Sequence, residues 1–537
     1  MDRQFEAGRN NVTELNESSM STLSKVLTRG LDVINKSRVF FSVFAALIVL
    51  HMLMMWHVRI YPFVDLPNHL AKATIYRYYG ESANQFDDYY AVDIFPKPNV
   101  FHLLFTGSRL FPSVESANRL LMTLYVVLLP FVVLLIIRKV KGNQWFSMLS
   151  FLCLYNLNLG WGFIDYAISI PFLLLWFYFL VDYHDHRSIR NRIMISALFL
   201  LLFFMHAITS LFSLLIYFIY CIYRYRTSLQ DLVKELLVCV PLTGMLFVWW
   251  NIDSQEGQST IRFLMDYYSN DYVPTILVRG KHLLTYDNTF LLDGFFGNMT
   301  STVFSAFIVL FCVWALFKNW KKLAELIKKS TLPYILFFCA MFCYFFLPPG
   351  IQGNGALHER FSVFVLLSMI ILVSILYSKK LNNVLIVTIC LMCLFYSILW
   401  VDYFLEFQRE NESFTQDMLD DTGGGKLVGL IYDQQYRGQP VYIHFPNYNI
   451  VWNRAITATN IIDYPFGSVR RTADYDSLPR YDEWIGIRDN KWWDEYFVFD
   501  YLLVRGEVPE EVIPLHNEYG VVENIDKWSL YRKHHIQ

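Results

Sequence analysis

The sequence predicts an α-helical polytopic membrane bundle of about eleven transmembrane helices, followed by a smaller extracytoplasmic domain of α/β or mainly β type. Three observations carry this. The 537 residues are 55% hydrophobic and only 17% charged, with a mean hydropathy of +0.32, whereas soluble domains carry about 25% charged residues. Apolar runs long enough to cross the roughly 30 Å hydrocarbon core recur along the first three quarters of the chain. After residue 401 the composition changes sharply to charged, Gly/Pro-punctuated sequence.

Residues 1–38 are polar and carry Arg3, Arg9, Lys25, Arg29, Lys36 and Arg38. The apolar run that follows has no small-residue cleavage site, which predicts an uncleaved first span and not a signal peptide. Candidate spans are 39–57, 119–137, 145–160, 165–183, 193–206, 208–223, 235–251, 302–317, 331–348, 361–377 and 382–401. Whether 193–223 is one helix or two is decided by charge. Lys and Arg collect on cytoplasmic connections, and here they collect at Arg138/Lys139/Lys141, Arg187/Arg190/Arg192, Arg224/Arg226, Lys318–Lys329 and Lys379/Lys380. These sites alternate with poorly basic turns only if 193–223 is a hairpin. The N-terminus is then cytoplasmic and the C-terminal domain extracytoplasmic. Domains are accordingly expected at 1–38 (cytoplasmic segment), 39–401 (bundle, with long outer loops 58–118 and 252–301) and 402–537 (outer domain).

In the outer domain, Gly423–Gly425 breaks the chain, and Lys426–Asp433, Val441–Phe445, Tyr496–Arg505 and Trp528–Arg532 read as strands between polar and Pro/Gly turns. The eight cysteines all lie in apolar runs. Cys390 and Cys393 have CxxC spacing without the second ligand pair of a zinc site, so packing explains them. A net charge of −2 argues against a nucleic-acid partner. P-loop, dinucleotide-binding, HExxH and GxSxG motifs are absent in any fitting context, so a nucleotide-powered pump or a cytosolic nucleotide-sugar enzyme is unsupported.

Chemistry concentrates after the first span, in Tyr61-Pro62-Phe63-Val64-Asp65-Leu66-Pro67-Asn68-His69-Leu70-Ala71-Lys72. Pro67 suits the first turn of a helix. Asp65, Asn68, His69 and Lys72 then share a face at spacings of three, four and seven. Asp65 as a simple helix cap is the competing explanation. Further polar residues fall at the same outer level: Asn156 and Asn158, Asp165, His206, and His358-Glu359-Arg360. Ionisable groups at membrane depth are functional candidates by default, although each alone could be an interfacial or packed residue. Asp87-Asp88 and Asp93 offer carboxylates to a divalent cation or are a solvated loop. Residues 99–111 read as an amphipathic interfacial helix. Arg262, Arg279, Lys281 and His282 are further candidate phosphate partners, and Trp452, Trp484, Trp492 and Trp493 suit either sugar stacking or core packing.

With many spans, a long first outer loop bearing an acid just after the first helix, and a C-terminal outer domain, the chain resembles the GT-C superfamily of integral membrane glycosyltransferases. Pro62–Ala71 resembles the loop in which that family places its catalytic Asp. Leu66 stands where a second acid is often found. The resemblance implies a polyprenyl-phosphate sugar donor entering from the bilayer, a glycan, lipid or protein acceptor outside, and inversion at the sugar carbon. It further implies Asp65 as general base. His69, Lys72, Asp165, His206, His358, Glu359 and Arg360 are the substrate-binding candidates, with Arg360 and His358, and His69 or Lys72, toward the phosphate. No cofactor is required by any motif; a divalent cation remains an option. A second rival is a non-catalytic assembly or receptor protein with the outer domain as its binding module. The main rival is a transporter or flippase for a lipid-linked or polar solute, which usually shows internal repeats and midplane charges. Neither is found here.

Overall fold

The computed structural model describes residues 37–253, 268, 272–285, 294–350, 355–378, 381–462, 467–472, 479–484, 498–510 and 517–534. The segment 1–36, Arg262, the pair Lys379/Lys380, and Trp492 and Trp493 lie outside the described residues. Among those described, seven helices are long and apolar enough to cross a membrane: Arg38–His57, Val114–Lys139, Ile164–Asp185, Ala207–Tyr225, Leu229–Asn251, Glu359–Leu376 and Asn383–Glu410. Thr302–Lys318 and Thr331–Phe346 are shorter apolar helices. The chain is a multi-pass membrane protein.

The stretch 193–223 is a hairpin. Helix Ile189–Met205 ends and Ala207–Tyr225 begins at His206, whose extended backbone (φ −163°, ψ 126°) breaks the helix in one residue. His206 Nδ1 caps the second helix by accepting from the Ile208 amide at 3.2 Å. The segment expected as a span at 145–160 takes another form. Gln144–Cys153 is a ten-residue 3-10 helix, started by the Asn143 side chain and buried along nearly its whole length. Non-α backbone is tolerated at membrane depth where protein, not lipid, surrounds it. The expected interfacial helix at 99–111 is a six-residue helix, Phe101–Thr106, with His102, Leu103 and Thr106 buried.

The described strands are β1 (Tyr90–Val92), β2 (Leu427–Ile431), β3 (Val469–Arg471), β4 (Tyr501–Arg505), β5 (Tyr519–Ile525) and β6 (Trp528–Lys533). The C-terminal domain holds a four-stranded sheet of order β2-β4-β6-β5. β2 and β4 run parallel; β6 pairs antiparallel with β4 and β5. A second, two-stranded sheet ties the loop after the first membrane helix to this domain, with β1 antiparallel to β3. Val441–Phe445 is not a strand. It turns into a 3-10 helix, Phe445–Asn447, and then helix Tyr448–Asn453. Pro446 explains the departure, because it has no amide hydrogen for a ladder and a φ suited to a first helical turn.

Helix Leu66–Tyr78 unites the two halves. Leu66, Leu70 and Ala73 enter the large core of the bundle. Ala71 and Ile75 enter a second core with Val428, Leu430, Ile450, Leu502 and Val504 of the C-terminal domain. Each set repeats at helical spacing, so this one helix is clamped on two faces. Arg59 closes the same junction by donating to the carbonyls of Asn411 (2.8 Å) and Phe414 (2.5 Å) beyond the last membrane helix.

Candidate active site

Asp65 occupies the N-cap position of helix Leu66–Tyr78, yet its side chain makes no capping hydrogen bond. The carboxylate is therefore free for other work, and it stays 27% exposed. Its backbone is fixed instead by the turn before the Ile164 helix: the Asp65 amide donates to Trp161 O and the Val64 amide to Gly160 O, each at 3.1 Å. Gly162 lies against this turn with φ +77°, and a Cβ there would stand 2.5 Å from the Asp65 nitrogen. Only glycine adopts that conformation and that proximity without strain.

The nearest partner of Asp65 comes from the C-terminal domain, and no motif announced it. His444 Nε2 lies 3.3 Å from Asp65 Oδ1, an ion-pair separation whose alignment falls short of a hydrogen bond. On its other side, His444 Nδ1 sits 2.8 Å from Glu483 Oε2. Both His444 and Glu483 side chains are 1% exposed. Burial by itself would lower the imidazole's pKa; Glu483 and Asp65 outweigh it and hold the group up at about 10. His444 is thus an imidazolium between two carboxylates at neutral pH. Asn447 Nδ2 bridges the network, donating to Asn68 Oδ1 (2.5 Å), Thr459 Oγ1 (3.2 Å) and Glu483 Oε1 (3.2 Å). Trp484 lies edge-on to His444, ring centroids 5.7 Å apart, and near Trp161 at 6.0 Å.

The sequence candidates divide around this centre. Lys72, two turns along the helix of Asp65, is half-buried and has no ion pair or hydrogen bond among the described residues. Burial lowers its pKa to about 8, against the pull of Asp165 and Asp65. His69 packs edge-on against His102 at 5.4 Å, and burial, with the nearby His102 and Lys72, keeps it neutral. Asp165 is tied down: its Oδ1 accepts the His102 amide at 2.8 Å. Arg360 is buried and stacks 4.1 Å above the Phe163 ring. It reaches His206 Nε2 at 3.2 Å and Gly355 O at 3.4 Å, but no carboxylate comes within ion-pair distance among the described residues. Phe163 and Asp165 flank the turn that holds Asp65, and Tyr166 donates to Arg360 O at 2.6 Å, so Arg360 belongs to the same end of the bundle. His358 is buried beside Tyr344, 5.8 Å between rings, and Glu359 is half-buried next to it. Neither is joined to Asp65 by a contact. Arg279 donates to the carbonyls of Tyr344 and Phe345, at 3.1 and 2.8 Å.

Of the loop acids, Asp93 is paired with Lys97 at 3.4 Å and Arg470 at 3.3 Å. Among the described residues, no group of three or more His, Cys, Asp or Glu could hold a metal ion. A cavity of about 460 Å³ opens elsewhere, in the bundle wall, lined by Leu211, Leu215, Phe218, Leu236 and Cys239. None of its lining residues belongs to the Asp65 cluster.

No protein-family model matches the chain, and no curated protein matches it in sequence. Among solved structures the chain is similar to the crystal structure of ArnT from Cupriavidus metallidurans bound to undecaprenyl phosphate. The TM-score is 0.50 at 11% identity, covering 93% of this chain and 99% of that one. At so low an identity the likeness is one of fold. It extends over the bundle and the C-terminal domain together.

Proposed function

We propose that this GT-C-fold chain is a membrane glycosyltransferase, moving a sugar from a polyprenyl-phosphate donor to an acceptor on the extracytoplasmic side. The observation that carries this is Asp65: a carboxylate at a helix N-cap that does no capping, with one oxygen unpartnered among the described residues and unpaired cations around it. The fold neighbour's bound undecaprenyl phosphate supports a donor of the same class here.

Chemically, Asp65 takes the proton of an acceptor hydroxyl as that oxygen attacks the sugar's anomeric carbon. The bond from that carbon to the phosphate oxygen breaks, and the polyprenyl phosphate leaves with the electron pair. In-line displacement inverts the anomeric centre. Lys72 and Arg360, cations without a carboxylate partner among the described residues, receive the phosphate charge. The N-terminus of helix Leu66–Tyr78 adds a favourable dipole for an anion. His69, neutral by burial, can donate a hydrogen bond to the same phosphate but no charge.

The test is purified full-length protein given a panel of radiolabelled undecaprenyl-phosphate monosaccharides, with native membranes as acceptor source. Label should move to acceptor, and Asp65→Asn should abolish transfer with folding intact. Wild-type transfer by the Asn variant removes Asp65 as base. Donor that crosses the bilayer unbroken would instead identify a flippase.

A further inference from the structure

Resting on Asp65 as the base, we propose that His444, backed by Glu483, is a positioning residue that holds Asp65 Oδ1 and leaves Oδ2 facing the acceptor.

The geometry is specific. His444 approaches Asp65 through Nε2 and Glu483 through Nδ1, at 3.3 and 2.8 Å. A ring that serves two carboxylates must carry hydrogen on both nitrogens, so the cationic form is the one the site is built for. Glu483 is itself held by Asn447 Nδ2 at 3.2 Å and by Thr459 Oγ1 at 3.5 Å. Asn447 also grips Asn68, three residues along from Asp65 on its own helix. The dyad is thus fixed to the backbone frame it has to orient. Asp65 Oδ2 has no partner among the described residues, and the carboxylate's 27% exposure is the opening left for an acceptor.

The paired cation also sets the charge state. The groups facing this pair are Glu483 from the C-terminal domain, Lys72 and His69 from the helix of Asp65, and Arg360 from the last turn before its span, while Asp165 from the membrane helix acts on Lys72. His444 touches Asp65 directly, whereas Lys72 and Arg360 act on it only at longer range. Removing the imidazolium therefore leaves the Asp65 carboxylate without the cation in contact with it. Removing Glu483's charge lowers the pH at which His444 loses its proton from about 10 toward neutrality.

Two readouts test this on full-length protein in detergent. In 15N-histidine spectra, the signal lost in His444→Gln should be doubly protonated at pH ~7.5 and should stay so beyond pH ~9. It should deprotonate at lower pH in both Glu483→Gln and Asp65→Asn. A wild-type signal titrating near ~6.5, or one unmoved by Asp65→Asn, overturns the proposal whatever the enzyme's activity. In transfer assays with the undecaprenyl-phosphate donor that is turned over, His444→Gln should lower kcat with donor KM unchanged. It should also remove the alkaline limb set by loss of the imidazolium's proton near pH 10. Glu483→Gln, which keeps a hydrogen-bond acceptor for Nδ1, should instead bring the alkaline limb down. An inactive Asp65→Asn beside a His444→Gln profile like wild type overturns the positioning role alone. An active Asp65→Asn sinks the base assignment itself.

Discussion

Gly162→Ala isolates the positioning of Asp65 from its chemistry. An alanine at φ +77° carries a left-handed backbone penalty of about 1–2 kcal/mol. Its Cβ would also stand 2.5 Å from the Asp65 nitrogen and 2.8 Å from that of Leu66. Reaching the 3.4 Å of ordinary contact requires these backbone atoms to retreat by roughly 0.6–0.9 Å. They are not side-chain ends that can swing aside, because hydrogen bonds from Val64 and Asp65 to Gly160 and Trp161 hold them. A misplacement of about 1 Å at a reacting group costs on the order of 100-fold in rate. Expected, then, is a fall in kcat of roughly 10- to 100-fold with a stability loss of about 1–3 kcal/mol. Gly80→Ala is the control. Gly80 has the same φ of +77° but nothing within 4 Å of an added Cβ, so it should lose stability without losing rate. Thermal melts and single-turnover sugar transfer would be measured on both. Equal rates for Gly162→Ala and wild type would refute the claim that this turn seats the base.

Lys72 has a pKa lowered to about 8 by burial, so its charge is present below that pH and fades above it. The donor's kcat/KM should fall as pH rises through about 8, and Lys72→Gln should remove that limb while weakening donor use roughly 10- to 100-fold, the value of one charge-assisted hydrogen bond. At the opposite end of the bundle, buried Glu235 accepts from Tyr183 (3.1 Å), Tyr217 (2.9 Å), Tyr225 (3.2 Å) and Arg192 (3.2 Å). Glu235→Ala takes the carboxylate from all four donors and should cost about 3–5 kcal/mol in denaturation in detergent. Its pH–rate profile should keep the wild-type shape.

The bundle was legible because hydrophobic length and Lys/Arg alternation are long-range averages. Even the hairpin at His206 followed from charge, since no basic residue stands near it. Local form was harder. Gln144–Cys153 is apolar over most of its length, and a short apolar run does not distinguish an α-helix from a 3-10 helix buried on all sides. β5 escaped notice because Tyr519–Ile525 is an edge strand with exposed Val521 and Val522 and a central Glu523, lacking the alternation of a half-buried strand. The helix after Pro67 could be placed from its first-turn proline and its polar spacing. Its meeting with His444, Asn447 and Glu483 could not, because the Asn68–Asn447 bond spans 379 positions. A signal did exist in Pro446-Asn447, which ends the apparent strand Val441–Phe445 just where His444 projects toward the bundle. Alternating Val441, Ile443 and Phe445 masked it as sheet.

The burial of Glu483 and His444 bears on what kind of protein can use this site. Alternating access requires the walls of a site to part in each cycle. Here the two walls are the bundle and the C-terminal domain, and helix Leu66–Tyr78 feeds a core on either side. Parting them would break the Asn68–Asn447 bond and pull Asp65 from His444. It would leave the buried His444–Glu483 pair without its third charge and open two apolar cores to water, each step costing several kcal/mol. A transferase needs the reverse: a carboxylate that keeps one orientation while substrates come and go, since a base displaced by even a fraction of an ångström loses rate. The C-terminal domain's interlock with Asp65 meets that need, so under the proposed transferase function the domain is part of the reaction centre and not an accessory resting on it.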